Sequence, residues 1–169
     1  EHVVVCGLGH VGYRVSRLLL RLGVKVAALG LEIRADRARV IAEGGGEVLR
    51  GDARDDAELA RAGIEQASAL VAVTDSDLVN LEVALDARRA SAALRLALRV
   101  FDRDLARTLE QSFGRARAVG VSALSAPVVA FGALGHEITA GFSLGDAEVL
   151  VGHLDVTEGS PLAGLDRSE

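Results

Sequence analysis

Apolar runs of about five residues recur at 2–6, 24–29, 46–50, 69–73, 95–100 and 118–121, each followed by a stretch with helical spacing. Within a run such as Ala69-Leu70-Val71-Ala72-Val73 nothing alternates, so both faces of the strand must be buried. Strands covered on both faces and alternating with helices belong to a parallel sheet, because the crossovers lay the helices over it. The expected fold is therefore α/β, a doubly wound parallel sheet of about six strands. Helix punctuation agrees. Asp55 with Glu58 three residues later forms a capping-box pattern before Leu59 and Ile64, and Asp102 is placed to cap a helix over 103–113.

The first run leads directly into glycines. After Val3-Val4-Val5-Cys6 comes Gly7-Leu8-Gly9-His10-Val11-Gly12, a G-x-G-x-x-G loop opening a helix that extends to about Leu22. Gly7 permits the turn out of the strand, Gly9 lets the backbone approach a pyrophosphate, and Gly12 lets the helix pack on the sheet. Phosphates would rest on the free N–H groups of this loop, among Leu8, His10 and Val11. In this context the sheet reads as Rossmann-like. The bland alternative is that the glycines serve only a tight connection. A ribose-binding carboxylate belongs about 20 residues beyond the glycines, but that place holds Leu29-Gly30, and the first carboxylate is Glu32. Two placements fit Glu32: the ribose, if the strand end bends at Gly30, or solvent at the entry to the next helix. Arg34 and Arg37 fit the exposed face of that helix, which argues against a 2′-phosphate.

Charge excludes one class of partner. The net charge is −5, and the 19 lysines and arginines are interspersed with 24 carboxylates, so no basic block is available for nucleic acid. No apolar run approaches the roughly 20 residues that cross a bilayer. Cys6 is the single cysteine, which rules out an internal disulfide and a Cys-x-x-Cys metal site and points to a reducing, cytoplasmic setting. With no methionine and a strand beginning almost at Glu1, the chain reads as a piece of something longer.

After residue 122 the rhythm changes. Ser125-Ala126-Pro127 reads as the start of a helix over 128–140, with Phe131, Leu134 and Ile138 on one face. Residues 141–145 read as a linker and 148–156 as a strand opening a new unit. The expected divisions are 1–124, a nucleotide-binding lobe; 125–142, a crossover helix that buries its apolar face on a second subunit; and 143–169, a linker and the truncated start of a further lobe.

Four segments in order carry a resemblance. They are VVVCGLGHVG, then RGDARDDAELARAGIEQASALVAVTDSDLVN, then ALRVFDRDLARTLEQSFG, then AVGVSALSAP. Gly-Asp-Ala after the third strand, Thr-Asp after the fourth with an asparagine shortly beyond, and an arginine ending the fifth make the set far more specific than the glycines alone. Over about residues 2–140 the chain resembles the nucleotide-binding lobe of the RCK family, regulators of potassium conductance, which is also the N-terminal domain of Trk-type potassium uptake proteins. The resemblance implies a domain at the cytoplasmic face of the membrane that senses NAD(H), ATP, ADP or AMP and gates a potassium channel or transporter. It also implies assembly as a homodimer or an octameric gating ring. By position it implies phosphate contacts at Gly7, Gly9 and Gly12, a base bordered by Asp52 and Ala53, ribose and phosphates beside Thr74 and Asp75, and a phosphate or interface role for Arg99. Gly30 in the acidic ribose position is the departure, and it leaves a lobe kept only for assembly as an alternative. His10 stands where some relatives carry an arginine; it would either face the phosphates, gaining charge as pH falls, or face solvent.

No catalytic constellation accompanies the loop. Tyr13 and Lys25 fall in the first helix and the second strand, and the short connections supply no substrate pocket. The rival reading, an NAD-dependent oxidoreductase, would need a further domain. His136 and His153 lack a serine–acid arrangement, and Cys6 reads as a small core residue. Asp75-Ser76-Asp77 reads as a helix cap, with Asp75 toward the crevice, rather than as a metal cluster. The expectation is a regulatory domain and not an enzyme.

Overall fold

Each apolar run becomes a strand, within two residues of the expected bounds, in the computed structural model, which describes residues 2–114, 116–133, 137–144, 147–153, 156, 158–160 and 163–164. The chain divides into two compact units, residues 1–120 and 121–169.

In the first unit the elements follow as β1 (Val3–Cys6), α1 (His10–Arg21), β2 (Val26–Gly30), α2 (Ala35–Glu43), β3 (Glu47–Arg50) and α3 (Asp56–Arg61). After a 3-10 turn at Ile64–Gln66 come β4 (Ala69–Ala72), α4 (Asp77–Ala90), β5 (Arg95–Arg99), α5 (Arg103–Phe113) and β6 (Ala116–Val119). The six strands form one parallel sheet in the order β3-β2-β1-β4-β5-β6. Registers such as Val3↔Val26 and Val3↔Ala69 align the strand ends, so the loops after Cys6, Gly30, Arg50, Ala72 and Arg99 share one edge. The chain order reverses between β1 and β4, the place where open α/β sheets leave a crevice for ligands.

Two apolar layers explain the uninterrupted runs. Val3 and Val5 on one face of β1 pack with Val26, Ala28, Ile41 and Val73, on the side of α1 and α2. Val4 and Cys6 face the other way, into a cluster with Leu29, Leu59, Leu70, Val83, Leu98 and Leu109 that joins α3, α4 and α5. β1 and β2 are buried at every position, whereas edge strand β3 exposes Glu47 and Arg50. Fully burying each such aliphatic side chain contributes roughly 1.5–3 kcal/mol.

The expected caps form, with one difference. The Asp55 carboxylate accepts from Ala57 N at 2.9 Å, and that of Asp102 accepts from Asp104 N at 2.8 Å and Leu105 N at 3.0 Å. Glu58 leaves the capping box incomplete, because Arg61 draws it into an ion pair at 2.7 Å.

The second unit departs from the sequence reading. Its helix, α6, spans Val121–Ala133 rather than 128–140, and it takes Pro127 within its length instead of at its start. Glu137–Leu144, expected as helix end and linker, is a strand (β7) paired antiparallel with Ala147–His153 (β8), Leu144 opposite Ala147. The cause is a change of period. Ile138, Ala140, Phe142 and Leu144 alternate with Thr139, Gly141 and Ser143, and the β-branched pair Ile138-Thr139 with Gly141 two residues beyond disfavours helix. Leu134 and His136 lie outside the described residues.

Candidate functional site

The three loop glycines are not equivalent. Gly7 leaves β1 with φ +96°, and a Cβ there would stand 2.9 Å from Thr74 N and 3.0 Å from Thr74 Cα, so both backbone conformation and the neighbouring β4 loop demand glycine. Gly12 lies in the first turn of α1, where a Cβ would meet the Gly7 carbonyl oxygen at 1.8 Å. That near-contact lets the helix start close against the strand. Gly9, the N-cap of α1, has φ −64° and ψ −160°, open to any residue, and a Cβ there would meet nothing within 4 Å. The fold does not require glycine at this position, so the bland reading accounts for only two of the three.

Above Gly9 the first turn of α1 is left open to a ligand. No side chain caps it and no acidic residue lies in it, so its leading N–H groups and the positive end of the helix dipole are uncompensated. An anion with several oxygen acceptors suits that arrangement.

Across the crevice the β4–α4 loop is held by Asn80, a residue only 1 % exposed. Its Oδ1 accepts from Thr74 N and from Thr74 Oγ1, both at 2.8 Å, and its Nδ2 donates to Thr74 O at 3.3 Å and Arg99 O at 3.0 Å. One amide thus uses its full capacity to tie the ends of β4 and β5 together. Arg99 Nη1 also donates to Thr74 O, at 3.3 Å, and the guanidinium lies over the Phe101 ring, 4.3 Å from its centre. Ser76 caps α4 by accepting from Val79 N at 3.3 Å. Asp77 accepts from Phe101 N at 2.8 Å, binding α4 to the loop after β5, while Asp75 is exposed at the mouth. Among the described residues no cluster of histidine, cysteine and carboxylates could hold a metal.

The other candidate residues scatter. The Asp52 carboxylate folds onto Arg54, accepting at 2.6 Å from Nη2 and at 3.0 Å from its own loop's Arg54 N, and this contact with the guanidinium holds its pKa below the usual carboxylate range. Ala53 turns its methyl into the core. Glu32 is exposed, which matches the solvent placement. Burial pushes the Cys6 thiol up to about 12, so it is an inert core residue.

Two residues that the motif analysis left without a role belong to the site. Arg37 is not on the outer face of α2. Its Nη1 donates to Leu8 O in the glycine loop at 2.9 Å, its Nη2 approaches His10 Nδ1 at 3.2 Å, and it shares the Tyr13 ring with Arg17, each 5.6 Å from the ring centre. Its spacing held the signal: Arg37 lies four residues before the fully buried Ile41, on the same helical face. Arg34 behaves as expected, exposed and paired with Asp36 at 3.0 Å. Asn80 carried a weaker signal, a lone amide in the first turn of a helix whose Ser76 already serves as the cap.

Comparisons with known proteins agree with this geometry. Residues 3–120 match the family model of the TrkA-N domain, the whole of the first unit's sheet. A Trk system potassium uptake protein TrkA homolog of Pyrococcus horikoshii is 34% identical over 102 residues, covering 60% of this chain and 44% of that protein. The Trk system potassium uptake protein TrkA of Streptomyces coelicolor is 33% identical over 101 residues, 60% of this chain and 45% of its own length. The chain therefore spans less than half of these relatives. Among solved structures, the Shewanella denitrificans Kef CTD in AMP-bound form superimposes with a TM-score of 0.64 at 26% identity, covering 80% of this chain and 82% of that one. With its ordered glycine loop, its Thr74–Asn80 tie and a match across the entire parallel sheet, the chain belongs to the TrkA-N domain family.

Proposed function

We propose that this domain binds an adenine nucleotide across the ends of β1, β2 and β4 and that occupancy regulates a membrane potassium transporter or channel at its cytoplasmic face. The observation that carries the reading is Gly9, a glycine that neither conformation nor packing requires, under an uncapped helix start. The AMP-bound Kef domain and the Trk relatives support the ligand class and the transport setting. Gly7, Leu8, Gly9, His10, Val11 and Gly12 surround the phosphates, and Thr74, Asp75 and Arg99 form the opposite wall. Of the remaining candidates, Asp52 is held by Arg54, Ala53 is in the core and Glu32 is in solvent.

Regulation needs two states that the nucleotide binds unequally. Subunits paired as a homodimer, or as an octameric ring, would supply them by changing their mutual angle when the crevice fills. Calorimetric titration with AMP, ADP, ATP, NAD+ and NADH tests the binding step. Gly9→Val should abolish the heat of binding while leaving the melting temperature unchanged, because the added side chain occupies open space. Absence of binding by all five nucleotides refutes the reading.

A further inference from the structure

We propose that Arg37 adapts this crevice to a nucleotide phosphorylated at the 2′ position of the adenosine ribose, as in NADP(H), in preference to one with free ribose hydroxyls; the inference rests on the nucleotide-binding reading above. The end of β2 is where a ribose edge meets such a sheet, and a carboxylate there serves to accept its hydroxyls. This chain has Gly30 at that place. The glycine is not forced by packing, since a Cβ would make only ordinary contacts, 3.4 Å from Leu8 Cβ and from Ile33 Cγ1. Its effect is to remove the negative charge that would repel a phosphate.

Arg37 reaches the glycine loop at Leu8, the loop residue that also lies against Gly30. Its bond to Leu8 O fixes the guanidinium at the glycine loop, and its approach to His10 adds a second point of support. A guanidinium can only donate, so His10 Nδ1 is the acceptor and the ring carries its proton on Nε2. Arg37 forms no ion pair among the described residues, in contrast to Arg34, which is already neutralised by Asp36. Two of its five N–H groups are engaged, leaving the rest for phosphate oxygens. A positioned guanidinium without an ion-pair partner, held at Leu8, together with a strand end that lacks a carboxylate at Gly30, is the charge pattern that suits a ribose phosphate, and it is opposite to the pattern that suits a diol.

The test compares matched ligand pairs on the 169-residue chain by calorimetry: AMP against adenosine 2′,5′-bisphosphate, and NAD+ against NADP+. The 2′-phosphorylated member of each pair should bind roughly tenfold tighter or better, as expected for a charge-assisted contact. Arg37→Ala should erase the preference, weakening the 2′-phosphorylated member of each pair about tenfold more than its partner, and Arg34→Ala should leave the preference intact. Thermal melting of each variant verifies that it is folded; if Arg37→Ala fails that check, Arg37→Gln, which removes the charge but keeps a shorter polar side chain with an amide donor, replaces it. Equal or tighter binding of AMP and NAD+ overturns the inference and leaves the nucleotide site standing. Equal weakening of both members in Arg37→Ala also overturns it, since Arg37 would then touch the shared 5′-phosphate. Failure of all four ligands to bind overturns this inference, and if ADP, ATP and NADH fail as well the nucleotide reading falls with it.

Discussion

Asn80→Ala should loosen the whole wall of the crevice, and the structure sets the size of the effect. The substitution removes four hydrogen bonds. Two of the groups keep partners: the Thr74 hydroxyl also reaches Ser76 O at 3.2 Å, and Thr74 O still accepts from Arg99 Nη1 at 3.3 Å. Thr74 N–H and Arg99 O lose the side chain that pairs them. At about 1–3 kcal/mol for each of these two polar groups left unmet, the expected loss is about 2–6 kcal/mol. For a unit of this size it corresponds to a fall of roughly 10–20 °C in Tm. Thr74→Val provides the scale, because it deletes only the hydroxyl's contacts, with Asn80 Oδ1 and with Ser76 O and N, and should cost about 1–2 kcal/mol. Urea denaturation of both variants, with Tm measured in parallel, decides the matter. Should Asn80→Ala lose no more stability than Thr74→Val, the amide would not be what holds β4 to β5, and the account of Thr74 packed against Gly7 would lose its basis.

Gly12→Ala should cost more than about 2 kcal/mol in urea denaturation, because its Cβ would overlap the Gly7 carbonyl at 1.8 Å, whereas Gly9→Ala should fall within about 0.5 kcal/mol of the parent. Similar losses for the two would erase the distinction between structural and ligand-facing glycines. Cys6 should resist iodoacetamide at pH 8 in the folded chain and react on unfolding in urea; rapid labelling of the native protein would contradict its burial. The same thiol sets an alkaline limit. An unfolded cysteine ionises near 9.0 while the folded one holds its proton to about 12, so the native state binds the proton more tightly. Its contribution is complete below pH 9.0 and is withdrawn as pH rises toward 12, by about 1.4 kcal/mol per pH unit. A Cys6→Ala chain should show a shallower alkaline decline in equilibrium stability.

The strands themselves and the glycine loop are legible in the sequence because each imposes a demand that few residues meet. Burial on both faces leaves only continuous apolar runs for β1 and β2, and the turn from β1 into α1 admits only glycine at 7 and 12. The second unit was misread where two periods coincide: Phe131, Leu134 and Ile138 fit a helix, while Ile138, Ala140, Phe142 and Leu144 fit a strand. Pairing with β8 decides between them, and pairing is a property of the partner strand. Arg37 was hidden for a related reason. A charge in a helix is assigned to solvent by default, yet the carbonyl it satisfies belongs to Leu8, 29 residues away. Asn80 likewise owes its role to Arg99, 19 residues further along. Composition and spacing therefore reach the requirements a segment imposes on itself, and they stop at those imposed across the crevice. Gly9 shows the limit most sharply. In sequence it is the same residue as Gly7 and Gly12; only the empty space around its absent side chain separates the glycine that the fold can do without from the two it cannot. What remains unexplained by folding is the portion of the loop left for a ligand to explain.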